Sequence, residues 1–241
     1  MSLSRTAIRA ALVIAVTAGL LAVWQSARGG ETPTLAPTVK HGTATTLARM
    51  YPRGIVVVGD SITARYNDEP GDADQGWWSL VGRHFGAHVT TYAQSGSGYL
   101  RQGKRCSGNR FIDRPEAFRR TAPSLFIVEG GRNDWSLCVE GQHVPATDQQ
   151  IAEAVDRYLD VIQRQLPRST RIVVLGPPWG PEAPWDGKRV TSIVHTAAQR
   201  HGLKYVSTTG TLDDPARVLD GVHPNRDGST ALAERVIAAL S

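Results

Sequence analysis

The apolar positions of this chain fall into short β-branched runs separated by longer amphipathic stretches. Gly54–Val58 reads Gly-Ile-Val-Val-Val, and Ser124–Glu129 reads Ser-Leu-Phe-Ile-Val-Glu. Runs this short, with little polar alternation, predict strands covered on both faces. Ala87–Tyr92, Arg171–Leu175 and Leu203–Val206 complete a set of five strands. Between them the period becomes that of a helix. In Thr147–Leu166, Ile151, Val155, Leu159 and Ile162 fall on one face, and Pro167 stops the helix. Further helices are predicted around Gly76–Phe85, over Arg114–Arg120, over Gly187–Arg200 with Gly202 as its cap, and over Asn225–Leu240.

Alternation of this kind predicts an α/β fold with a mainly parallel sheet and helices on both faces. Ligands in such folds bind beyond the carboxyl ends of the strands. Polar and glycine-rich stretches sit at those ends. Gly59-Asp60-Ser61-Ile62-Thr63 follows the first strand, Ala93-Gln94-Ser95-Gly96 the second, and Gly131-Arg132-Asn133-Asp134 the third. Asp220-Gly221-Val222-His223-Pro224 precedes the last helix.

These stretches hold the parts of an acyl-transfer site: a nucleophile, a base with its orienter, and donors for an oxyanion. Ser61 stands where a strand turns into a helix, so its hydroxyl lies at the sheet edge near helix N-terminal amides. The rival reading of Ser61 is a helix N-cap. Ser95 and Ser97 are rival nucleophiles in a glycine-rich loop. Asp220 lies three residues before His223 and is placed to orient it toward Ser61. Asn133 offers a side-chain amide, and Gly96 a backbone N–H where a side chain would block approach. Asp60 and Asp134 are expected to hold loops together rather than to titrate in the reaction.

In their order and content the four stretches resemble the four blocks of the SGNH hydrolase superfamily, the GDSL esterase/lipase family, with Ile62 where the family's name has leucine. The alanine-, arginine-, glycine- and valine-rich composition gives the resemblance an actinobacterial or mycobacterial cast. The resemblance runs from about Gly54 to the C-terminus. It implies a three-layer α/β/α sandwich with a five-stranded, mainly parallel, flavodoxin-like sheet. It implies Ser61 as nucleophile, His223 as base and Asp220 as its partner. The implied oxyanion hole is made by the N–H groups of Ser61 and Gly96 and the side chain of Asn133. No metal or organic cofactor is implied. The reaction would be hydrolysis of O-acyl groups of a glycan or lipid through an acyl-enzyme. The alternative is an acyltransferase that moves a short or medium acyl group, for example from acyl-coenzyme A, to a sugar hydroxyl; only then would coenzyme A serve as acyl donor.

Substrate contacts are expected from the loops between the blocks. Trp77 and Trp78 follow an acidic loop soon after Ser61, Trp135 follows Asp134, and Trp179 and Trp185 lie in a Pro-Gly-rich loop. Aromatic faces beside such a centre suit a sugar ring or an acyl chain; packing of long loops would equally retain them. Arg101, Lys104, Arg105, Arg110, Arg114, Arg119 and Arg120 stand against Asp113 and Glu116 in the segment after Gly96. This basic run is either a site for an anionic substrate, a coenzyme A phosphate or lipid headgroups, or a solvated face.

Composition narrows the remaining choices. Of 241 residues 41% are hydrophobic, which supports a packed core rather than a disordered chain. The formal charge of +5 comes from 27 basic and 22 acidic residues, and Arg5 and Arg9 at the N-terminus supply two of the basic ones. So small an excess elsewhere does not argue for nucleic acid. Arg5 and Arg9 precede an uncharged, apolar stretch ending at Ala27. Residues 1–27 therefore read as a signal peptide or, lacking a clean cleavage site, a signal anchor that contacts the membrane. Residues 28–51 read as a flexible linker and residues 52–241 as the hydrolase domain. The catalytic domain is then secreted or membrane-anchored outside the cytoplasm; it is cytosolic if the segment is not a targeting signal. Export would permit a disulfide between Cys106 and Cys138, which otherwise are two free thiols.

Overall fold

The computed structural model describes residues 51–68, 73–181, 183 and 187–241. The expected leader and almost all of the expected linker lie outside these residues. Tyr51, the last linker position, is buried and meets Phe85 edge-on with ring centroids 5.1 Å apart.

Five strands form one parallel sheet. They are β1 (Ile55–Gly59), β2 (Val89–Ala93), β3 (Leu125–Glu129), β6 (Arg171–Leu175) and β7 (Lys204–Val206), in the order β2-β1-β3-β6-β7. The helices are α1 (Ser61–Asp68), α2 (Trp77–Phe85), α3 (Glu116–Arg119), α4 (Asp148–Gln165), α5 (Gly187–Arg200) and α6 (Arg226–Leu240).

The period of two along the strands sorts the core into two layers. Val56, Val58, Phe126, Val128 and Val174 point to one face, where Ile151, Val155, Leu159 and Ile162 of α4 and Val190 and Val194 of α5 cover them. Ile55, Val57, Leu125, Ile127 and Val173 point to the other, beneath Trp77, Val81 and Phe85 of α2 and Leu232, Val236 and Leu240 of α6. Both faces of β1 and β3 are buried, which is why their sequences lack polar alternation. Truncating Ile151 to alanine would cost about 2–5 kcal/mol through lost burial and the cavity left behind.

Helix ends follow local chemistry. Thr147 caps α4, its hydroxyl accepting from Gln150 N, while the Gln150 side chain returns to Thr147 N. Gly86, in the left-handed region, ends α2.

One element was absent from the sequence reading. Strands β4 (Ser136–Val139) and β5 (Gln142–Pro145) form an antiparallel hairpin directly after the third motif. Glu140 and Gly141 both have positive φ, as a tight two-residue hairpin turn requires. The strand order places the topological switch between β1 and β3. Their carboxyl ends carry Ser61 and Asn133, so the fold opens a crevice at that point.

Candidate active site

Asp60, not Ser61, caps α1. Its Oδ1 accepts from Ile62 N at 2.9 Å, and its carbonyl accepts from Ala64 N at 2.8 Å. The capping duty that was the rival reading of Ser61 is thus taken. The Ser61 hydroxyl instead meets His223 Nε2 at 2.9 Å, across 162 positions of sequence. His223 Nδ1 lies 2.8 Å from Asp220 Oδ2. The second Asp220 oxygen accepts from the backbone N–H groups of His223, at 2.8 Å, and Val222, at 3.2 Å. An unbroken relay therefore runs from carboxylate through imidazole to hydroxyl.

Burial pushes the Asp220 carboxyl upward, but the backbone and side-chain hydrogen bonds from His223 outweigh it and hold the group down at about 2. Asp220 is ionised at any ordinary pH and keeps the Nδ1 proton of the imidazole facing it, which leaves Nε2 as the basic nitrogen toward Ser61.

The histidine loop is pinned at several points. Leu219 N donates to His223 O at 2.8 Å, and Val218 bridges Pro224. Tyr66 of α1 donates its hydroxyl to Pro224 O at 2.7 Å, and Arg65 reaches Asp220 Oδ2 at 3.5 Å. Asn225 caps α6 through Gly228 N at 3.0 Å. Helix α1 thus carries the serine at its start and two braces for the histidine loop on its later turns. Sequence reading missed Arg65 and Tyr66; their spacing of four and five residues from Ser61 along a short helix was the available signal.

Asn133 is held by two acceptors. Its Nδ2 donates to Ser97 O at 2.9 Å and to Asp60 Oδ2 at 3.3 Å. Three residues before it, Gly130 leaves no room for a side chain: a Cβ there would strike the Phe111 ring. At Gly96, φ is +73°, and a Cβ would come 2.5 Å from Lys104 N. Glycine is needed on both counts. Ser61, Gly96, Asn133 and His223 line one cleft of about 350 Å³.

The buried carboxylates beside the cleft organise its loops. Asp134 accepts from Tyr99 N at 3.0 Å, Leu100 N at 2.9 Å and Arg101 N at 3.0 Å, and burial still raises it to about 6. Burial likewise raises Asp60 to about 6, and raises Glu129 well above the usual carboxylate range. Glu129 Oε2 accepts from Thr63 Oγ1 at 2.9 Å and Asp60 N at 3.4 Å, beneath the serine turn. Burial first, and then the neighbouring Asp60 charge, push Glu129 upward.

The expected substrate residues divide. Trp135, Trp179 and Arg101 line the cleft. Arg101 lies over the Trp135 ring at 5.5 Å, and Arg132 over the Trp179 ring at 5.2 Å. Arg105 lines an adjoining cavity. Trp77 and Trp78 are corrected to structural residues. Trp77 is 1% exposed and donates to Thr63 Oγ1 at 3.2 Å, and Trp78 donates to Thr63 O at 3.3 Å. They sit at the first turn of α2, which packs its apolar face on the sheet and turns both indoles beneath α1 rather than into the cleft. Trp185 lies outside the described residues.

The basic run after Gly96 also divides. Arg114 is buried and donates to Gly59 O at 3.0 Å, Tyr92 O at 2.6 Å and Ser97 Oγ at 3.0 Å, tying the ends of β1 and β2 to the Gly96 loop. Ser97 is therefore spent on structure and is no rival to Ser61. Arg110 pairs with Asp113 at 2.8 Å. Cys106 and Cys138 are joined in a disulfide that ties the Gly96 loop to the β4–β5 hairpin. Cys106, Cys138 and His143 form a metal-like grouping among the described residues, but its two sulfurs belong to that disulfide.

Comparison with known proteins shows the family and the fold. Over 199 residues the chain is 27% identical to the GDSL lipase Rv0518 of Mycobacterium tuberculosis, covering 78% of this chain and 81% of that one. Two solved structures share the fold. A family two carbohydrate esterase from Clostridium thermocellum, in complex with cellohexaose, has a TM-score of 0.61 at 21% identity, covering 78% of this chain and 63% of that one. A carbohydrate acetylesterase family member from Sinorhizobium meliloti has a TM-score of 0.58 at 17% identity, covering 78% and 97%. The model of the GDSL-like lipase/acylhydrolase family matches residues 57–231. The chain belongs to that family of carboxylic-ester hydrolases.

Proposed function

We propose that the protein is a serine esterase that removes O-acyl groups from a glycan, with Ser61 as nucleophile. The observation that carries this is the contact of His223 with Ser61 on one ring nitrogen and Asp220 on the other. In the first step Ser61 Oγ attacks the ester carbonyl carbon while His223 Nε2 takes the hydroxyl proton. The carbonyl oxygen becomes an oxyanion, received by the N–H of Ser61 at the start of α1, where the helix dipole favours negative charge, by the N–H of Gly96, and by Asn133 Nδ2, which shares with it the N–H of its long 3.3 Å contact to Asp60 Oδ2. Collapse breaks the ester bond and leaves the acyl group on Ser61. His223 returns its proton to the departing sugar oxygen. Water then attacks the acyl-enzyme with His223 again as base, releasing the acid and restoring Ser61.

A glycan is favoured over a lipid because the side chains lining the cleft besides Trp135, Trp179 and Val222 are polar or cationic, among them Ser95, Lys104 and Arg132. Exposed aromatic faces among polar donors suit sugar rings. The carbohydrate esterases of like fold support this reading. The Cys106–Cys138 disulfide supports a location outside the cytoplasm, where such a bond persists.

Hydrolysis of p-nitrophenyl acetate tests the assignment. Ser61→Ala should abolish turnover while far-ultraviolet circular dichroism and the unfolding midpoint stay as in wild type. Full activity in the folded variant would reject Ser61 as nucleophile.

A further inference from the structure

The cleft does not end at the serine. A second cavity of about 470 Å³ adjoins it and shares Ser95 and Lys104 with it. Its polar walls come from Gln94, Ser95 and Ser107, its charges from Lys104 and Arg105, and its apolar side chains from two alanines. No carboxylate is among the described residues that line it. Within the basic run, Arg110 and Arg114 are committed to Asp113 and to backbone carbonyls. Lys104 and Arg105 are exposed, and neither is ion-paired with a described carboxylate.

The backbone beneath these two cations is fixed. Lys104 N packs against Gly96, its carbonyl accepts from His143 Nε2 at 2.9 Å, and the next residue but one enters the disulfide. Asn109 N closes the loop on Gln94 Oε1 at 2.8 Å. Two cations with no carboxylate partner among the described residues are thus held beside the glycine of the oxyanion loop.

We propose that this cavity binds an anionic sugar, and that the favoured substrates are O-acylated glycans bearing a carboxylate on or next to the acylated ring. Lys104 and Arg105 are the specificity residues. The proposal rests on the esterase reading above. The occupant follows from the lining: an amide, hydroxyls and two cations match the hydroxyls and carboxylate of a uronic acid, whereas two alanines cannot solvate an acyl chain.

The test compares kcat/KM on an O-acetylated methyl hexuronoside with that on the matching O-acetylated methyl hexoside, with p-nitrophenyl acetate and a diacyl phospholipid in parallel. Wild type should prefer the hexuronoside by about tenfold, mainly through KM, and lose that preference at high salt. In a Lys104→Ser/Arg105→Ser double variant the ratio of acidic to neutral sugar should fall to near one. Equal use of both sugars by wild type would overturn the proposal, as would equal slowing of both by the variant, which marks a structural role. Preference for the phospholipid would overturn it in favour of a phosphate headgroup. Absence of wild-type turnover on every ester, p-nitrophenyl acetate included, would instead sink the esterase reading on which it rests.

Discussion

Asp60 joins the serine turn to Asn133. One oxygen of its buried carboxylate caps α1 through Ile62 N at 2.9 Å, and the other accepts from Asn133 Nδ2 at 3.3 Å. The element that aims the hydroxyl and the amide proposed to receive the oxyanion are therefore set by the same side chain.

This makes Asp60→Asn informative. The asparagine oxygen can still cap α1, but its NH₂ cannot accept from Asn133. The expected result is a kcat lowered by roughly tenfold with KM little changed, because the amide is misaimed rather than lost. Asn133→Ala removes the donor and should cost roughly 10²–10³ in kcat. Steady-state kinetics on one p-nitrophenyl ester separates the two.

Asp220→Asn should lower kcat by roughly 10²–10⁴, since the amide no longer fixes the imidazole tautomer. Asp220 itself, held at about 2, contributes no limb to the activity profile at ordinary pH. The linkage has a definite sign. Its carboxyl is depressed in the fold, so the stability it contributes is present above the ordinary carboxylate range and fades as pH falls toward 2. A kcat/KM profile with a limb near the normal aspartate value would contradict this.

The buried acids act in the opposite sense. Asp60 and Asp134 are raised to about 6, and Glu129 is raised further above its ordinary value. Groups raised by folding favour the native state at low pH; for Asp60 and Asp134 that contribution is lost as pH rises from about 4 through 6, and for Glu129 the loss extends to higher pH. Glu129→Gln mimics the protonated acid and should hold stability at pH 7 within about 1 kcal/mol of wild type while flattening this dependence. Urea unfolding at several pH values measures it; a Gln variant that is strongly destabilised would mean Glu129 is charged.

The disulfide closes a separation of 32 residues, and its loss should cost roughly 3–4 kcal/mol by the chain-entropy account. It also anchors the loop that bears Gly96 and Lys104. Cys106→Ser/Cys138→Ser should therefore reduce activity at temperatures where the variant remains folded. Thermal melts alongside ester hydrolysis separate the two effects.

Much of this was legible in the chain. The apolar runs of β1 and β3 marked the centre of the sheet, because strands covered on both faces carry no polar alternation. The motifs fell at strand ends, so topology alone gathered Ser61, Gly96, Asn133 and His223. The hairpin of β4 and β5 was not legible: Ser-Leu-Cys-Val and Gln-His-Val-Pro are half-exposed strands, and Glu-Gly is a weak turn signal. Trp77 and Trp78 misled because burial under a helix and exposure in a cleft leave the same mark in one sequence. Arg114 was hidden for a similar reason. Its burial depends on the carbonyls of Gly59 and Tyr92, which only the folded sheet brings together.

The central claim is that Ser61 carries the acyl group. Intact-mass analysis of the protein after rapid acid quench with a slowly hydrolysed p-nitrophenyl ester tests it directly. The account predicts one added acyl group, mapping by peptide fragmentation to Ser61 and absent in Ser61→Ala. An adduct on another residue, or turnover with no adduct that survives unchanged in Ser61→Ala, would contradict it.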